Sequence, residues 1–123
     1  MELGLNGKVV LISGSYRGTG AGTAKVFAAE GALVAVHGHE LGQADGMVAE
    51  IISNDGSAIA VHGDLETSQG VDDIVSQVEA TYGPVDVLVN NHGAPGRTDW
   101  TDTAEAWKAV SYTHLTLPTK RIV

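Results

Sequence analysis

The sequence predicts an α/β fold in which a doubly wound parallel sheet carries helices on both faces. Short, uninterrupted runs of Val, Ile, Leu and Ala recur along residues 8–90, which is typical of strands buried on both faces of a parallel sheet. Between these runs, apolar residues recur at the spacing of one helix face. Strands that alternate with helices in this way require right-handed crossovers, so the helices cover both faces of the sheet.

The first predicted unit is a strand, a glycine-rich turn and a helix within Lys8–Glu30. The apolar run is followed by Gly14, Gly18 and Gly20 in the pattern G-x-x-x-G-x-G. Glycines, having no side chain, let the backbone turn tightly and approach a phosphate group closely. The free N–H groups and the dipole at the start of the helix attract an anion. This unit therefore predicts a phosphate-binding turn, with the helix ending at Gly31.

Three further strands and two further helices complete the predicted fold. The strands are predicted at Leu33–His37, Ala58–His62 and Val85–Asn90. One helix is indicated by the i, i+3, i+4, i+7 series Ala44, Met47, Val48 and Ile51, and the other by Val71, Ile74, Val75 and Val78. Thr67 or Ser68 is the predicted N-cap of the second of these helices.

Polar and glycine-rich residues follow the carboxyl end of each predicted strand. These segments are Gly14–Gly20, Gly38-His39, Asp64-Leu65 and Asn90–Gly93. The carboxyl ends of parallel strands meet at one edge of the sheet, where ligands bind at the point at which the strand order reverses. We therefore expect a single ligand site built from these loops.

The composition restricts the classes of function. With 123 residues, 43% of them hydrophobic, the chain can form one modest core. The net charge of -8, without a basic cluster, argues against a nucleic-acid partner. No apolar run of about 18 residues is present, so no membrane span is expected. The chain has no cysteine, which is compatible with a cytoplasmic location.

The five histidines do not indicate a metal site. No pair has the i, i+4 spacing that places two ligands on one helix face, and no cysteine is available to complete a zinc site. We therefore predict no metal ligand among them. His37 and His62 are expected at strand ends, with one hydrogen bond each.

These motifs resemble those of the short-chain dehydrogenase/reductase family over about residues 5–110. The resemblance rests on Ser13–Gly20, Asp64-Leu65 and Asn90–Gly93, where the family has its glycine turn, an acid after the third strand and an Asn-Asn-Ala-Gly segment. It implies a Rossmann-like fold that binds NAD or NADP. The implied cofactor-binding residues are Gly14, Ser15, Arg17, Gly18, Thr19, Gly20, Gly38, His39, Asp64, Leu65, Asn90, Asn91 and Gly93. His92 stands where the family usually has alanine.

The position after the second strand bears on the choice of cofactor. NAD-binding members of the family usually carry an acid there, which accepts a hydrogen bond from the ribose 2′-hydroxyl. Gly38 occupies that position and His39 follows it, while Arg17 can pair with a 2′-phosphate. These residues favour NADP over NAD. Glu40 comes next in the sequence and keeps NAD as the alternative.

The resemblance also implies an oxidoreductase that transfers a hydride between nicotinamide and a small carbonyl or alcohol substrate. The family's chemistry requires a tyrosine with a lysine four residues later. The residues four positions after Tyr16, Tyr82 and Tyr112 are Gly20, Asp86 and Thr116, so no catalytic residue is assigned. We predict that the chain as given binds the cofactor without turnover. A non-catalytic NAD(P)-binding sensor on the same fold is the alternative function.

The last residues depart from the family pattern. Val110–Thr119 reads VSYTHLTLPT, without a helical stripe and with a proline, and its codons can be written as those of a transposase-type sequencing adapter. We interpret residues 1–110 as a partial NAD(P)-binding Rossmann domain and residues 111–123 as a non-native tail, with a divergent natural terminus as the alternative. The sheet is then truncated after about four strands, and the outer edge of the fourth is exposed. The parent protein is expected to be a homo-oligomer, as members of this family often are.

Overall fold

The computed structural model describes residues 4–91 and the backbone of residues 121–122, in which helices and a parallel sheet form the predicted α/β arrangement. The strands are β1 (Val9–Ile12), β2 (Leu33–Gly38), β3 (Ser57–His62), β4 (Val87–Val89) and β5 (Arg121–Ile122). The helices are α1 (Gly18–Ala29), α2 (Asp45–Ser53) and α3 (Ser68–Thr81). The predicted alternation of strands and helices is confirmed.

The order of strands in the sheet is β3-β2-β1-β4-β5, and all neighbouring strands are parallel. From β1 the chain passes outward through β2 to β3 and then returns to the other side of β1 as β4. The order therefore reverses between β1 and β4. In open α/β sheets the ligand crevice lies at such a reversal, outside the carboxyl ends of the strands.

The outer edge of β4 is partly covered by a strand that the sequence patterns do not indicate. The two-residue strand β5 pairs with β4, with Val87 opposite Arg121 and Leu88 opposite Ile122. A sheet edge presents unpaired N–H and C=O groups, so a short extended segment gains hydrogen bonds by adding to it. The sheet thus contains the four strands expected from the sequence and one short addition, and the edge of β4 is paired at these two residues.

Side chains of the sheet alternate between two core clusters, one on each face. Val9 and Leu11 of β1 belong to the cluster that contains α3, whereas Val10 and Ile12 belong to the cluster that contains α1 and α2. Because successive strand residues point to opposite faces, both faces of β1 are buried. The helices, together with the residue that precedes α2, contribute buried Ala24, Ala28, Ala44, Ile51, Val71, Ile74, Val75 and Val78. These include the apolar stripes predicted for the two later helices, in which Met47 and Val48 are only partly buried.

The helices begin and end at residues with suitable local chemistry. Gly31 follows α1 with a left-handed φ of 89°, as expected for the end of this helix. Asp55 follows α2 with a φ of 66°. Thr67 is the N-cap of α3, and its hydroxyl oxygen accepts a hydrogen bond from the Gly70 N–H at 2.9 Å.

The first turn of α3 lies directly against the loop that leaves β3. A Cβ atom at Gly70 would overlap the Asp64 carbonyl oxygen and would lie 2.7 Å from the Asp64 carbonyl carbon and 2.9 Å from its nitrogen. Real Cβ atoms do not approach backbone this closely, so the contact requires glycine. Gly70 therefore sets the position of Asp64, one of the predicted site residues.

We predict that Gly70→Ala destabilises the chain by about 1–3 kcal/mol, because the added methyl group forces Asp64 and α3 apart. The matched control is Gly46→Ala in α2, where nothing lies within 4 Å of an added Cβ. Alanine favours the helix at Gly46 by up to about 1 kcal/mol. Urea unfolding of the two variants measures the difference. Equal unfolding midpoints for the two variants would show that the Asp64 backbone can move away from a methyl group at position 70 without loss of stability.

Candidate functional site

The turn between β1 and α1 depends on glycine at two positions with left-handed backbone. Gly14 has a φ of 60° and Gly18 a φ of 63°, a region that side chains other than glycine rarely adopt. Gly14 turns the chain away from the end of β1, and Gly18 begins α1. The glycine spacing noted in the sequence therefore has a conformational cause at these positions.

Gly20 is required for a different reason, which is close approach. A Cβ atom at Gly20 would lie 2.5 Å from Asn91 Nδ2, 2.7 Å from the Gly14 carbonyl oxygen and 2.9 Å from Ser15 Cα. The first turn of α1 therefore packs directly on the glycine turn and on the loop that follows β4. This contact places the start of α1 at the reversal of strand order between β1 and β4.

The start of α1 has the features of an anion-binding helix terminus. Arg17 is the N-cap residue, with extended backbone and no capping hydrogen bond from its side chain. The first turn of α1 contains no acidic residue. Since the first N–H groups of a helix have no partner within the helix, and the dipole is positive there, this terminus attracts a negatively charged group.

The Arg17 side chain lies beside this terminus. Its guanidinium carbon is 5.1 Å from the centre of the Tyr16 ring, within the range of a cation–π contact. Tyr16 is partly buried and packs against the core cluster of α1 and α2, whereas Arg17 is exposed. The ring thus supports a positive charge that remains accessible to an anion at the turn.

Ser13 links the end of β1 to the loop after β4. This residue is fully buried, and its hydroxyl oxygen accepts a hydrogen bond from the Asn91 N–H at 2.8 Å. The hydroxyl also donates to Asn90 Oδ1 at 3.3 Å, and the Ser13 N–H donates to the Val89 carbonyl oxygen at 3.0 Å. Ser13 was not among the predicted cofactor-binding residues. The signal for its role was a polar residue placed between a buried strand and a glycine.

His37, near the end of β2, joins the carboxyl ends of three strands. The side chain is 2% exposed, and its Nδ1 accepts a hydrogen bond from the Gly14 N–H at 2.9 Å. Nδ1 is an acceptor here, so in the neutral ring Nε2 carries the proton and donates to the Gly63 carbonyl oxygen at 3.0 Å. The imidazole therefore connects the glycine turn after β1 with the loop after β3.

The backbone of His37 is joined to the same turn through Ser15. The His37 N–H donates to Ser15 Oγ, and the Ser15 N–H donates to the His37 carbonyl oxygen, both at 3.0 Å. Ser15 Oγ also donates to the Ile12 carbonyl oxygen at 2.7 Å. Ser15 was predicted as a cofactor contact, and its fully buried hydroxyl is used inside the turn.

The expectation of one hydrogen bond for each strand-end histidine is wrong for His37, since both of its ring nitrogens are bonded. The reason is that two loops converge on β2, which lies between β1 and β3. His62 ends β3 and is half-buried. Its N–H donates to Gln77 Oε1 at 3.0 Å, and its carbonyl oxygen accepts from Gln77 Nε2 at 2.8 Å.

The other predicted site residues have distinct positions. Gly38 is buried at the end of β2, and His39 is exposed immediately after it. Asp64 is half-buried, and its Oδ1 accepts a hydrogen bond from the Glu66 N–H at 2.8 Å. The Leu65 side chain is buried in the core, so only its backbone faces the loop.

Thr19 is exposed in the first turn of α1. Gly93 and His92 lie outside the described residues.

The hydrogen bonds of Ser13, Ser15 and His37 bring the glycine turn, the end of β2 and Asn90-Asn91 together. The cofactor contacts of all these residues stay predictions.

The fold and the glycine turn at the strand reversal define the class of doubly wound α/β domains that bind nucleotides at this position. The family model described as short chain dehydrogenase matches residues 8–117. The chain therefore belongs to the short-chain dehydrogenase family, as the resemblance in the sequence predicted.

Individual relatives agree with this membership. The chain is 36% identical over 115 residues to D-beta-hydroxybutyrate dehydrogenase of Cupriavidus necator, a match that covers 91% of this chain and 44% of that enzyme. Among solved structures, it resembles a hydroxysteroid dehydrogenase from Escherichia coli with a TM-score of 0.71 and 33% identity, over 78% of this chain and 41% of the other. A short-chain dehydrogenase/reductase of Serratia marcescens shares the fold with a TM-score of 0.73 at 24% identity, over 90% of this chain and 52% of the other. The chain thus spans about half the length of such relatives or less.

The described residues show neither a membrane-spanning helix nor a cluster of metal ligands. None of the helices among residues 4–91 is long and apolar enough to cross a membrane. Within the same part of the chain, no group of three or more His, Asp or Glu residues is arranged to hold a metal ion.

We predict that Gly20→Ala weakens nucleotide binding and destabilises the chain by about 1–3 kcal/mol, since the added methyl group pushes α1 off the turn. Gly22→Ala is the control in the same helix, because nothing lies within 4 Å of a Cβ there. Titration with NADP+ and thermal unfolding measure the two effects. Equal behaviour of the two variants would contradict the close-packing role of Gly20.

We predict that His37→Phe is strongly destabilising. Phenylalanine retains a ring of similar size but leaves the Gly14 N–H and the Gly63 carbonyl without their imidazole partners, at up to about 1–3 kcal/mol for each of these partly buried groups. The exposed His39→Ala is the control and should change stability by no more than about 0.5 kcal/mol. Urea unfolding at neutral pH compares them. If the two midpoints coincide, the imidazole does not hold the loops together.

Proposed function

We propose that this chain is the cofactor-binding portion of an NAD(P)-dependent oxidoreductase that transfers a hydride between nicotinamide and a small carbonyl or alcohol substrate. The observation that carries the proposal is the uncapped start of α1, packed through Gly20 on the glycine turn at the strand reversal. Membership of the short-chain dehydrogenase family supports the same reaction class.

The residues present suit a dinucleotide pyrophosphate. The α1 terminus offers N–H groups and a positive dipole, and the missing side chains of Gly14 and Gly18 let a phosphate approach the backbone. The chain carries a net charge of -8, so attraction of an anion must come from such local donors. We propose that Asp64 hydrogen-bonds the adenine and that Asn90, Asn91 and Gly93 line the cofactor ribose. When bound, the cofactor supplies the hydride chemistry.

We further propose that the cofactor is NADP. Gly38 presents no carboxylate at the end of β2, so no acid at that position repels a 2′-phosphate or binds a free 2′-hydroxyl. Arg17 is exposed above the Tyr16 ring and can pair with the phosphate, with His39 beside it. We also propose a cytoplasmic location, which the absence of cysteine from the sequence supports. The parent protein is proposed to be a homo-oligomer.

We predict that Arg17→Ala weakens NADP+ binding about ten- to a hundredfold and NAD+ binding much less, because a charge-assisted hydrogen bond to phosphate is lost. Lys25→Ala is the matched control. It also removes one positive charge, but at a residue within α1 whose Nζ pairs with Glu50 of α2 at 2.7 Å. Calorimetric titration of both variants with the two cofactors measures the effect.

The same preparation tests the broader proposal. The chain should bind NADP+ and should not oxidise NADPH with carbonyl substrates, because no tyrosine in its sequence is followed by lysine at the fourth position. Failure of the unmodified chain to bind either nucleotide would overturn the cofactor-binding function. Equal losses of NADP+ and NAD+ affinity in Arg17→Ala would overturn only the assignment of Arg17 to the 2′-phosphate.

A further inference from the structure

The loop between β2 and α2 is held by one side chain that the family motifs do not include. Gln43 Oε1 accepts a hydrogen bond from the His39 N–H at 2.7 Å and another from the Glu40 N–H at 3.2 Å. Two consecutive backbone N–H groups at the carboxyl end of β2 therefore point at a single neutral oxygen. The Gln43 amide sets the conformation of this loop.

The same side chain fills the space beside Gly38. A Cβ atom at Gly38 would lie 2.9 Å from Gln43 Cβ and 3.1 Å from Gln43 Oε1. Gly38 is buried and is not among the glycines with positive φ, so its backbone conformation is open to other residues. The obstacle to a side chain at this position is therefore Gln43 and not backbone strain.

If the chain binds NAD(P) as proposed above, this arrangement affects which of the two cofactors it selects. An acid at position 38 would hydrogen-bond a free ribose 2′-hydroxyl and repel a 2′-phosphate. While Gln43 holds the loop, an aspartate at this position cannot be accommodated without displacing the amide and freeing the His39 and Glu40 N–H groups. The neutral amide of Gln43 therefore occupies space that an aspartate side chain at position 38 would need.

We infer that Gln43 is a specificity-determining residue, which positions the β2–α2 loop so that the site selects a 2′-phosphorylated adenine dinucleotide over the 2′-hydroxyl form. It acts through its amide on the loop backbone and through the space it takes beside Gly38. Its role is one of positioning, so it should change the ratio of the two affinities and not only the stability of the chain.

The first test is Gln43→Glu, titrated calorimetrically with NADP+ and NAD+. Glutamate keeps an oxygen for the two loop N–H groups, so the loop stays in place, but it adds a negative charge beside the 2′-phosphate. NADP+ affinity should fall about tenfold, with NAD+ affinity changed by less than about twofold. Asn54→Asp adds the same charge at the exposed far end of α2 and should leave both affinities unchanged. Equal losses for the two nucleotides in Gln43→Glu would overturn the inference.

The second test is Gly38→Asp, alone and combined with Gln43→Gly, which removes both the Gln43 Cβ and the amide that would meet the new side chain. The single variant should lose affinity for both nucleotides, since the new side chain displaces Gln43 and releases the loop. The double variant removes the obstacle and should bind NAD+ at least about tenfold more tightly than NADP+. A preference for NAD+ in the single variant as strong as in the double variant would show that Gln43 is no obstacle.

Titration of the unmodified chain with NADP+ and NAD+ distinguishes failure of the proposed function from failure of the role inferred for Gln43. If it binds neither nucleotide, the proposed function fails and the role of Gln43 fails with it. If it binds both with equal affinity, cofactor binding stands and the selection by Gln43 is overturned. Tighter binding of NADP+, with the variant results described above, supports both.

Discussion

The two hydrogen bonds of the His37 imidazole hold the end of the sheet on which the candidate site depends. Through them the Gly14 N–H, after β1, and the Gly63 carbonyl, after β3, are fixed to the strand that lies between. Both groups lie beyond the ends of their strands and are partly buried, so the imidazole satisfies polar groups that the strand pairing does not. A buried imidazole suits this role because one ring nitrogen donates while the other accepts. The direction in which the glycine turn leaves β1 is thereby determined.

The other side of the turn is held by the loop after β4. The Ser13 hydroxyl oxygen accepts a hydrogen bond from the Asn91 N–H. Because Gly20 has no side chain, α1 can also pack closely against the Asn91 side chain. The turn is thus attached to β2 on one side and to β4 on the other, which are the two neighbours of β1. Such attachment keeps the α1 terminus at the strand reversal, which is where open α/β sheets bind their ligands.

Much of the fold could be predicted because it follows from local patterns. The apolar runs and the i, i+3, i+4, i+7 series located β1–β4, α2 and α3 to within a few residues, since burial imposes those periods directly. The glycine turn was predictable for the same reason, because Gly14 and Gly18 adopt a conformation that other residues avoid. The hydrogen bonds of His37 and Gln43 were not predictable, since a histidine in an apolar strand and a glutamine in a loop carry no recurring pattern.

Local sequence patterns were sufficient to predict the type and order of the elements, the helix end at Gly31 and the glycines of the turn. They did not indicate that β4 lies beside β1, which residues surround the turn, or that β5 adds to the edge of β4. These features depend on partners that are far apart along the chain. The hydrogen bond of Ser13 joins groups 78 residues apart, and that of Gly14 with His37 joins groups 23 apart. Such pairs are chosen by the packing of whole strands, which no local spacing records.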